Sequence, residues 1–266
     1  MSRAKLKKLE KFITSFDKVL VAFSGGVDSS TLAGITNELV DTLAVTIISP
    51  TTPSREVKEA ERIAKELNLK HVFYELNELE NEDFVKNTEE RCYFCKKMVL
   101  TSLLKIAEKE GCEAVFEGTN ASELQGHRPG YKAVAELENV YSPWAMFGFT
   151  KDEIREIARK KGYSFWNKPS VACLSSRIPF YTPIDENSLK MIDEAENYII
   201  ELANVKQVRV RKIDGRAVIE VGEDEVEKLF DREIAEKVVS KLKSLGFKAV
   251  LLDLEGYRTG KLSDSK

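Results

Sequence analysis

The 266 residues predict an α/β fold, with a parallel-sheet domain followed by a smaller α+β domain. Three observations carry this. Short β-rich runs alternate with amphipathic helical stretches over the first 160 residues, the pattern of βαβ units. A Ser-Gly-Gly turn separates the first such run from the first helical stretch, as at a ligand-binding strand end. Beyond about residue 187 the order changes to helix, hairpin, helix, strand, which places a boundary near Lys168 and divides the chain into 1–167 and 168–266. The length suits one large or two small domains.

The elements follow in order. Lys18–Phe23 (KVLVAF) reads as a short buried strand, and Asp28 to Leu39 as the helix after the glycine turn. Leu43–Ile48 is the second strand. Pro50 and Pro53 break it, and Ser54 is placed to cap a helix running to about Leu67. His71–Leu76 is the third strand. A polar, acidic stretch separates it from a helix over about Cys92–Glu110, and Ala114–Glu117 is the fourth strand. Asp152–Lys161 closes the first domain as a helix. Asn167 to Asn187, with Pro169, Pro179 and Pro183, is a connection. Leu189–Leu202 is helical. Gln207–Ile213 and Ala217–Val221 form a hairpin through Asp214-Gly215, a favoured two-residue turn. Glu223–Leu245 is helical with a break near Asp231, and Lys248–Leu254 is a final strand.

Composition excludes several classes. Lys+Arg number 41 and Asp+Glu 44, a net charge of −3, which is no uniformly basic coat for nucleic acid. Four cysteines in a chain of this length are no disulfide scaffold. Met1–Glu10 is charged and no run approaches a membrane span, so a cytoplasmic protein with reduced thiols is expected. No internal repeat or low-complexity tract is present.

The motif with the most chemistry is Ser24-Gly25-Gly26-Val27-Asp28-Ser29-Ser30, directly after a strand and opening a helix. Adjacent glycines let an anion approach the backbone, and the helix start supplies unpaired N–H donors and a positive dipole end. Ser24, Ser29 and Ser30 add hydroxyls. Asp28 would repel a bare phosphate, and makes sense where it helps hold Mg²⁺ between phosphate oxygens. The motif is neither a Walker A loop nor GxGxxG. Gly118, after the fourth strand, falls at the same sheet edge.

Cys92 and Cys95 form CxxC at a helix start, and Cys173 lies in ACLSSR at the connection. Two thiols three apart with a distant third suit an iron–sulfur cluster with one open iron, a persulfide relay or a zinc site, or are inert. Cys112 reads as a small buried hydrophobe. His71 and His127 have no catalytic partner in sequence reach, though either could complete a metal site. Arg209 and Arg211 alternate on one strand and share a face, which suits a phosphate clamp or a solvated sheet face.

SGGVDSS resembles the PP-loop of the N-type ATP pyrophosphatases, which adenylate a substrate oxygen. Gly118–Glu123 leading to Arg128-Pro129-Gly130, Lys168-Pro169, Ala172–Pro179, Ala195-Glu196, Val208–Arg211 and Leu252–Arg258 together resemble the LarE family of ATP-dependent sacrificial sulfur transferases. The resemblance runs from about Lys18 to Gly260. It implies an adenine nucleotide alpha hydrolase-like first domain. It also implies conversion of the carboxylates of pyridinium-3,5-biscarboxylic acid mononucleotide to thiocarboxylates, a step toward the nickel-pincer nucleotide of lactate racemase.

ATP and Mg²⁺ would be used, with release of pyrophosphate and AMP. In one branch of the family the cysteine matching Cys173 gives up its own sulfur. In another, three cysteines hold a [4Fe-4S] cluster carrying a sulfide, and Cys92, Cys95 and Cys173 match all three. The implied set is then Ser24, Gly25, Gly26, Asp28, Ser29, Ser30 and Gly118 for the nucleotide, Arg209 and Arg211 for the substrate phosphate, and Cys173, Asp28, Glu196 and Arg177 for catalysis. Arg177, four residues after Cys173, is expected in the same cleft. Glu196 is either near the sulfur-transfer site or an ordinary helix-surface charge. Glu123 stands where relatives carry Asp, and Gln125-Gly126-His127 departs from the acidic pattern there. A homo-oligomer and a sulfide or other sulfur donor are implied as partners. An iron–sulfur tRNA thiolase is the alternative enzyme, against which the balanced charge argues. A nucleotide-binding regulator with a structural metal is the non-enzymatic one.

Overall fold

The computed structural model describes residues 3–125 and 129–257, and the chain divides into two compact units. Unit 1 comprises residues up to Glu78 and Glu89–Val171, and unit 2 comprises Leu79–Thr88 and the chain from Ala172. Among the described residues, no helix is long and apolar enough to cross a membrane.

Unit 1 begins with helix α1 (Arg3–Ile13), then β1 (Lys18–Ala22), α2 (Val27–Leu39), β2 (Asp41–Ile48), α3 (Ser54–Glu66) and β3 (Lys70–Glu75). A short helix, α4 (Glu82–Val85), lies in the segment that belongs to unit 2. Then come α5 (Arg91–Glu110), β4 (Ala114–Phe116), α6 (Pro129–Ala135), β5 (Val140–Tyr141), α7 (Pro143–Met146) and α8 (Lys151–Lys160). The five strands form a parallel sheet in the order β3-β2-β1-β4-β5. β1 is central, and its KVLVA run is buried because both faces of a doubly covered sheet must be apolar. One face packs α1, α2, α3 and α8 around Phe23, Ile63 and Trp144. The other packs α5 around Leu20, Leu100 and Val115. β1 and β2 are neighbours but α2 crosses between them, so the βα turns gather at one sheet edge.

The parallel sheet and the four strands anticipated from the sequence are present. Three local differences have simple causes. Ser54 is the first residue of α3 and Pro53 occupies the cap, where its fixed φ of −58° suits a helix entry. β5 has only two residues, too few to give an alternating pattern. α1 covers a segment rich in Lys whose apolar Leu9 and Ile13 are fully buried.

In unit 2, α9 (Glu186–Ala203) precedes the antiparallel hairpin β6 (Val208–Ile213) and β7 (Arg216–Val221), then α10 (Arg232–Ser244) and β8 (Val250–Leu252), which pairs parallel with β7. Asp214 and Gly215 have φ of +50° and +76°, the left-handed pair that the hairpin turn requires. Asp231 breaks the helical stretch as anticipated. Its carboxylate accepts from the Ile234 amide and caps α10.

Candidate active site

In unit 1 the chain leaves β1 at Ala22 and turns through Ser24–Gly26 into α2. Gly25 has φ +70°, and a Cβ there would stand 2.9 Å from Ala60 Cα of α3. Glycine is therefore required twice, by conformation and by space. Gly26 is the N-cap of α2 and has no side chain to occupy the first-turn N–H groups. Ser24 and Ser29 face each other with Oγ atoms 3.0 Å apart. Gly118 backs onto the same turn, where a Cβ would meet the Ser29 amide at 3.0 Å. Ser24, Gly26, Asp28, Ser29 and Gly118 line a cavity of about 350 Å³, with Val45, Ile47 and Leu103 on its apolar wall. Ser30 lies apart from it. It is fully buried, and its Oγ has no hydrogen-bond partner among the described atoms.

Three lysines complete this edge, and of these only Lys168 falls in a motif phrase of the sequence. Lys151, first residue of α8, pairs with Asp28 Oδ2, while Asn120 Nδ2 donates to Asp28 Oδ1 at 3.3 Å. Trp144 Nε1 donates to the Asp28 carbonyl (3.0 Å), fixing the main chain beneath it. Lys168 Nζ donates to the Gly25 carbonyl (3.0 Å) and to Glu56 Oε2 (2.8 Å), tying the loop to α3. Lys96 of α5 pairs with Glu117 at 2.5 Å. Glu117 is only 2% exposed. Burial pushes its carboxyl up, but Lys96 and the Ser142 and Thr119 hydroxyls outweigh that and hold it below the usual carboxylate range.

Cys92 and Cys95 lie near the start of α5 outside any disulfide, Cys92 exposed and Cys95 half-buried. Cys95 Sγ is 3.9 Å from Glu78 Oε1. Burial pushes the Glu78 carboxyl above its usual range. Cys112 is half-buried against the α5-side apolar cluster rather than enclosed, and its thiol is pushed up by burial. Its place right after the Gly111 cap at the end of α5 keeps it near solvent. Among the described residues, no three His, Cys, Asp or Glu side chains are gathered as a metal group.

In unit 2, Cys173 is exposed and leads into a 3₁₀ turn, Leu174–Arg177, with its Sγ 2.9 Å from Ser175 Oγ. Arg177 and Glu196 are both 0% exposed. Arg177 Nε and Nη2 donate to the two Glu196 oxygens at 2.7 and 3.0 Å, a bidentate pair. Arg177 Nη1 donates back to the Ala172 and Cys173 carbonyls at 2.7 and 2.9 Å. Glu196 also accepts from the Val210 amide (3.1 Å), joining α9 to β6. It is no helix-surface charge.

Arg209 and Arg211 share one face of β6 but are 3% and 7% exposed, which removes the solvated-face reading. Arg211 Nε donates to Glu220 Oε1 (2.6 Å) and Nη1 to the Ser176 carbonyl (3.1 Å). Arg209 lies over the Tyr257 ring, 5.1 Å from its centroid. Hydrogen bonds thus link Cys173, Arg177, Glu196 and Arg211 through Ser176, with Arg209 two residues from Arg211 on the same face of β6. Glu220 is the member that sequence reasoning missed. The Asp214-Gly215 turn sets Glu220 opposite Arg209, and that register was the available signal. Gly126, His127, Arg128 and residues 258–260 of the motif phrases lie outside the described residues. His71 sits on β3 with Nε2 at 2.8 Å from Thr46 Oγ1, a structural contact.

Comparison with known proteins adds what the geometry leaves open. The asparagine synthase family model matches residues 9–181. An uncharacterized protein of Synechocystis is 34% identical across 99% of this chain and 98% of its own. The pyridinium-3,5-bisthiocarboxylic acid mononucleotide synthase of Lactiplantibacillus plantarum is 30% identical over 95% of this chain and 91% of its own. The chain belongs to that synthase's family. A tRNA-specific 2-thiouridylase of Halothermothrix orenii is 24% identical over 67% of this chain and 59% of its own. The synthase-family similarity extends through both units. The asparagine synthase model instead ends at residue 181, before the Arg209–Arg211–Glu220 hairpin.

Proposed function

We propose that this protein is an ATP-dependent sulfur transferase. It adenylates the carboxylates of pyridinium-3,5-biscarboxylic acid mononucleotide and converts them to thiocarboxylates in nickel-pincer nucleotide synthesis. The observation that carries the reading is similarity to the synthase over nearly the whole of both chains. The cavity at the β1–α2 turn supports it chemically.

The α2 first-turn N–H groups and the Ser24 and Ser29 hydroxyls present donors to a triphosphate, while the Val45–Ile47 wall offers an apolar face to the base. A carboxylate is a poor electrophile, and transfer of AMP to its oxygen gives the acyl carbon a good leaving group. The amides at the helix start stabilise the departing pyrophosphate. Asp28 already carries an ammonium partner, so this position accepts positive charge. Asp28 would hold Mg²⁺, which supplies charge neutralisation on the phosphates. Arg209 and Arg211 would bind the substrate phosphate, and Arg177 with Glu196 would position the Cys173 main chain.

Cys92, Cys95 and Cys173 stand outside any disulfide, and the first two are about one helical turn apart, thiol chemistry that suits a thiolate-held [4Fe-4S] cluster. When bound, that cluster would supply an iron able to carry a sulfide. The exposed Cys173 thiol is the other source of sulfur, used sacrificially. The thiouridylase relatives are matched over a smaller share of their length, and tRNA is not the substrate this reading favours.

The test is anaerobic purification with iron and labile-sulfide analysis, followed by assay with ATP and the pyridinium nucleotide. AMP and pyrophosphate should appear together with a thiocarboxylate product. Absence of nucleotide-dependent pyrophosphate would discard the reading. Loss of sulfur from Cys173, seen by mass, would assign the sacrificial route.

A further inference from the structure

The two arginines of β6 are held in different ways. Arg211 has a carboxylate partner, with Nε 2.6 Å from Glu220 Oε1. Arg209 stands over the Tyr257 ring, its guanidinium carbon 5.1 Å from the centroid, and its Nη1 donates to the Val208 carbonyl (2.9 Å). An aromatic face attracts a cation through its quadrupole, and the attraction strengthens where water is excluded. Arg209 is 3% exposed, so that condition is met. The ring steadies the guanidinium without adding a second carboxylate to a face that already holds Glu220, directly opposite Arg209.

The main chain fixes where this ring stands. β8 ends at Leu252, and residues 253–257 fold back on β7. The Asp253 amide donates to the Ile219 carbonyl (2.9 Å) and the Tyr257 amide to the Val221 carbonyl (2.7 Å), so β7 grips both ends of the turn. Between them, the Glu255 amide donates to Asp253 Oδ1 (3.0 Å) and the Gly256 amide to the Asp253 carbonyl (3.2 Å). Gly256 has φ +70°, and a Cβ there would stand 2.9 Å from the Val221 carbonyl oxygen. Glycine lets the two backbones approach this closely. Tyr257 therefore leaves the turn at the Val208–Val221 end of the hairpin, beside Arg209.

We infer, resting on the assignment of Arg209 and Arg211 to the substrate phosphate, that Tyr257 is a positioning residue for that phosphate. Its ring holds the Arg209 guanidinium so that the two arginines, two apart on one face of β6, act on one phosphate together. An arginine side chain loses rotamer freedom when it grips a ligand. A ring that has already ordered it removes that loss from the binding step. The contact of a desolvated cation with an aromatic face corresponds to about a 10- to 30-fold change in affinity.

Steady-state kinetics with ATP and the pyridinium nucleotide test this. Tyr257→Leu should raise KM for the pyridinium nucleotide about 10-fold, with kcat and the KM for ATP unchanged. Tyr257→Phe keeps the ring and should restore the wild-type KM. Mono-, di- and trifluorinated phenylalanine at position 257 keep the shape of the ring while withdrawing electron density from its face, so KM should climb with each fluorine. On the corresponding nucleoside, which has no phosphate, the wild type and Tyr257→Leu should have equal kcat/KM. A flat KM across the fluorinated series, a Tyr257→Leu KM within about twofold of wild type, or an equal loss on the nucleoside overturns the inference. A wild type that makes no thiocarboxylate from the nucleotide overturns the sulfur-transfer reading, and this inference with it.

Discussion

Replacing Glu196 with alanine leaves the Arg177 guanidinium without its bidentate partner in a site from which solvent is absent. Both side chains are 0% exposed, and two charge-assisted hydrogen bonds of 2.7 and 3.0 Å are lost together. The Val210 amide loses its acceptor as well. Removing one member of a buried ion pair typically costs about 3–5 kcal/mol, because the remaining charge keeps its desolvation penalty. The Ala172 and Cys173 carbonyls still receive Nη1, which offsets part of that cost and places the expected loss at about 3–4 kcal/mol. Urea unfolding followed by far-UV circular dichroism reads the value, and faster hydrogen exchange at Val210 locates it in unit 2. Replacing both residues, Arg177→Met with Glu196→Leu, removes both charges and should recover most of the stability. The reasoning is refuted by a single-variant loss under about 1 kcal/mol, or by a double variant no more stable than the single one. The double variant should nonetheless transfer sulfur poorly, because Arg177 then no longer ties the Ala172 and Cys173 carbonyls to α9.

The remaining expectations are shorter. Gly25→Ala must adopt a left-handed φ, a strain of about 1–2 kcal/mol, and also meets Ala60 at 2.9 Å, so it should lower both stability and ATP affinity in a calorimetric titration. Lys151→Ala removes the charged partner of Asp28, a bond of about 1.5–3 kcal/mol, and should reduce pyrophosphate release about 10- to 100-fold; an unchanged rate would exclude Lys151 from the site. Cys92→Ala, Cys95→Ala and Cys173→Ala should each abolish iron retention after anaerobic reconstitution, whereas Cys112→Ala should retain it. Glu117 has a folded pKa below the ordinary glutamate value, so its contribution to stability is complete above that value. That contribution is lost as pH falls from about 4.3 through the lower folded pKa. Glu117→Gln should therefore flatten the acid limb of the stability profile.

Local chemistry explains which parts of this protein are legible in its sequence. Ser24–Ser30 joins a strand to a helix within a few residues, so glycine conformation, cap and dipole are all decided by neighbours in the chain. The Asp214-Gly215 hairpin is local in the same sense, and its register follows from the turn. Cys92 and Cys95 share a helical turn by spacing alone.

Long-range pairings were decided by the tertiary structure. Lys151 reaches Asp28 across 123 residues and Lys168 reaches Gly25 across 143, because sheet order and α-helix packing return distant segments to one strand edge. Nothing in the sequence separates Lys151 from the other lysines, and the Lys168-Pro169 phrase does not say that Lys168 meets the Gly25 carbonyl. Glu196 also reads as a surface charge until burial pairs it with Arg177, and the His71–Leu76 run reads only as a strand until the sheet order places it at an edge. A sequence states which groups are available and how they are spaced along the chain. Which of them lose water and find each other depends on packing, where desolvation makes a pairing either necessary or costly.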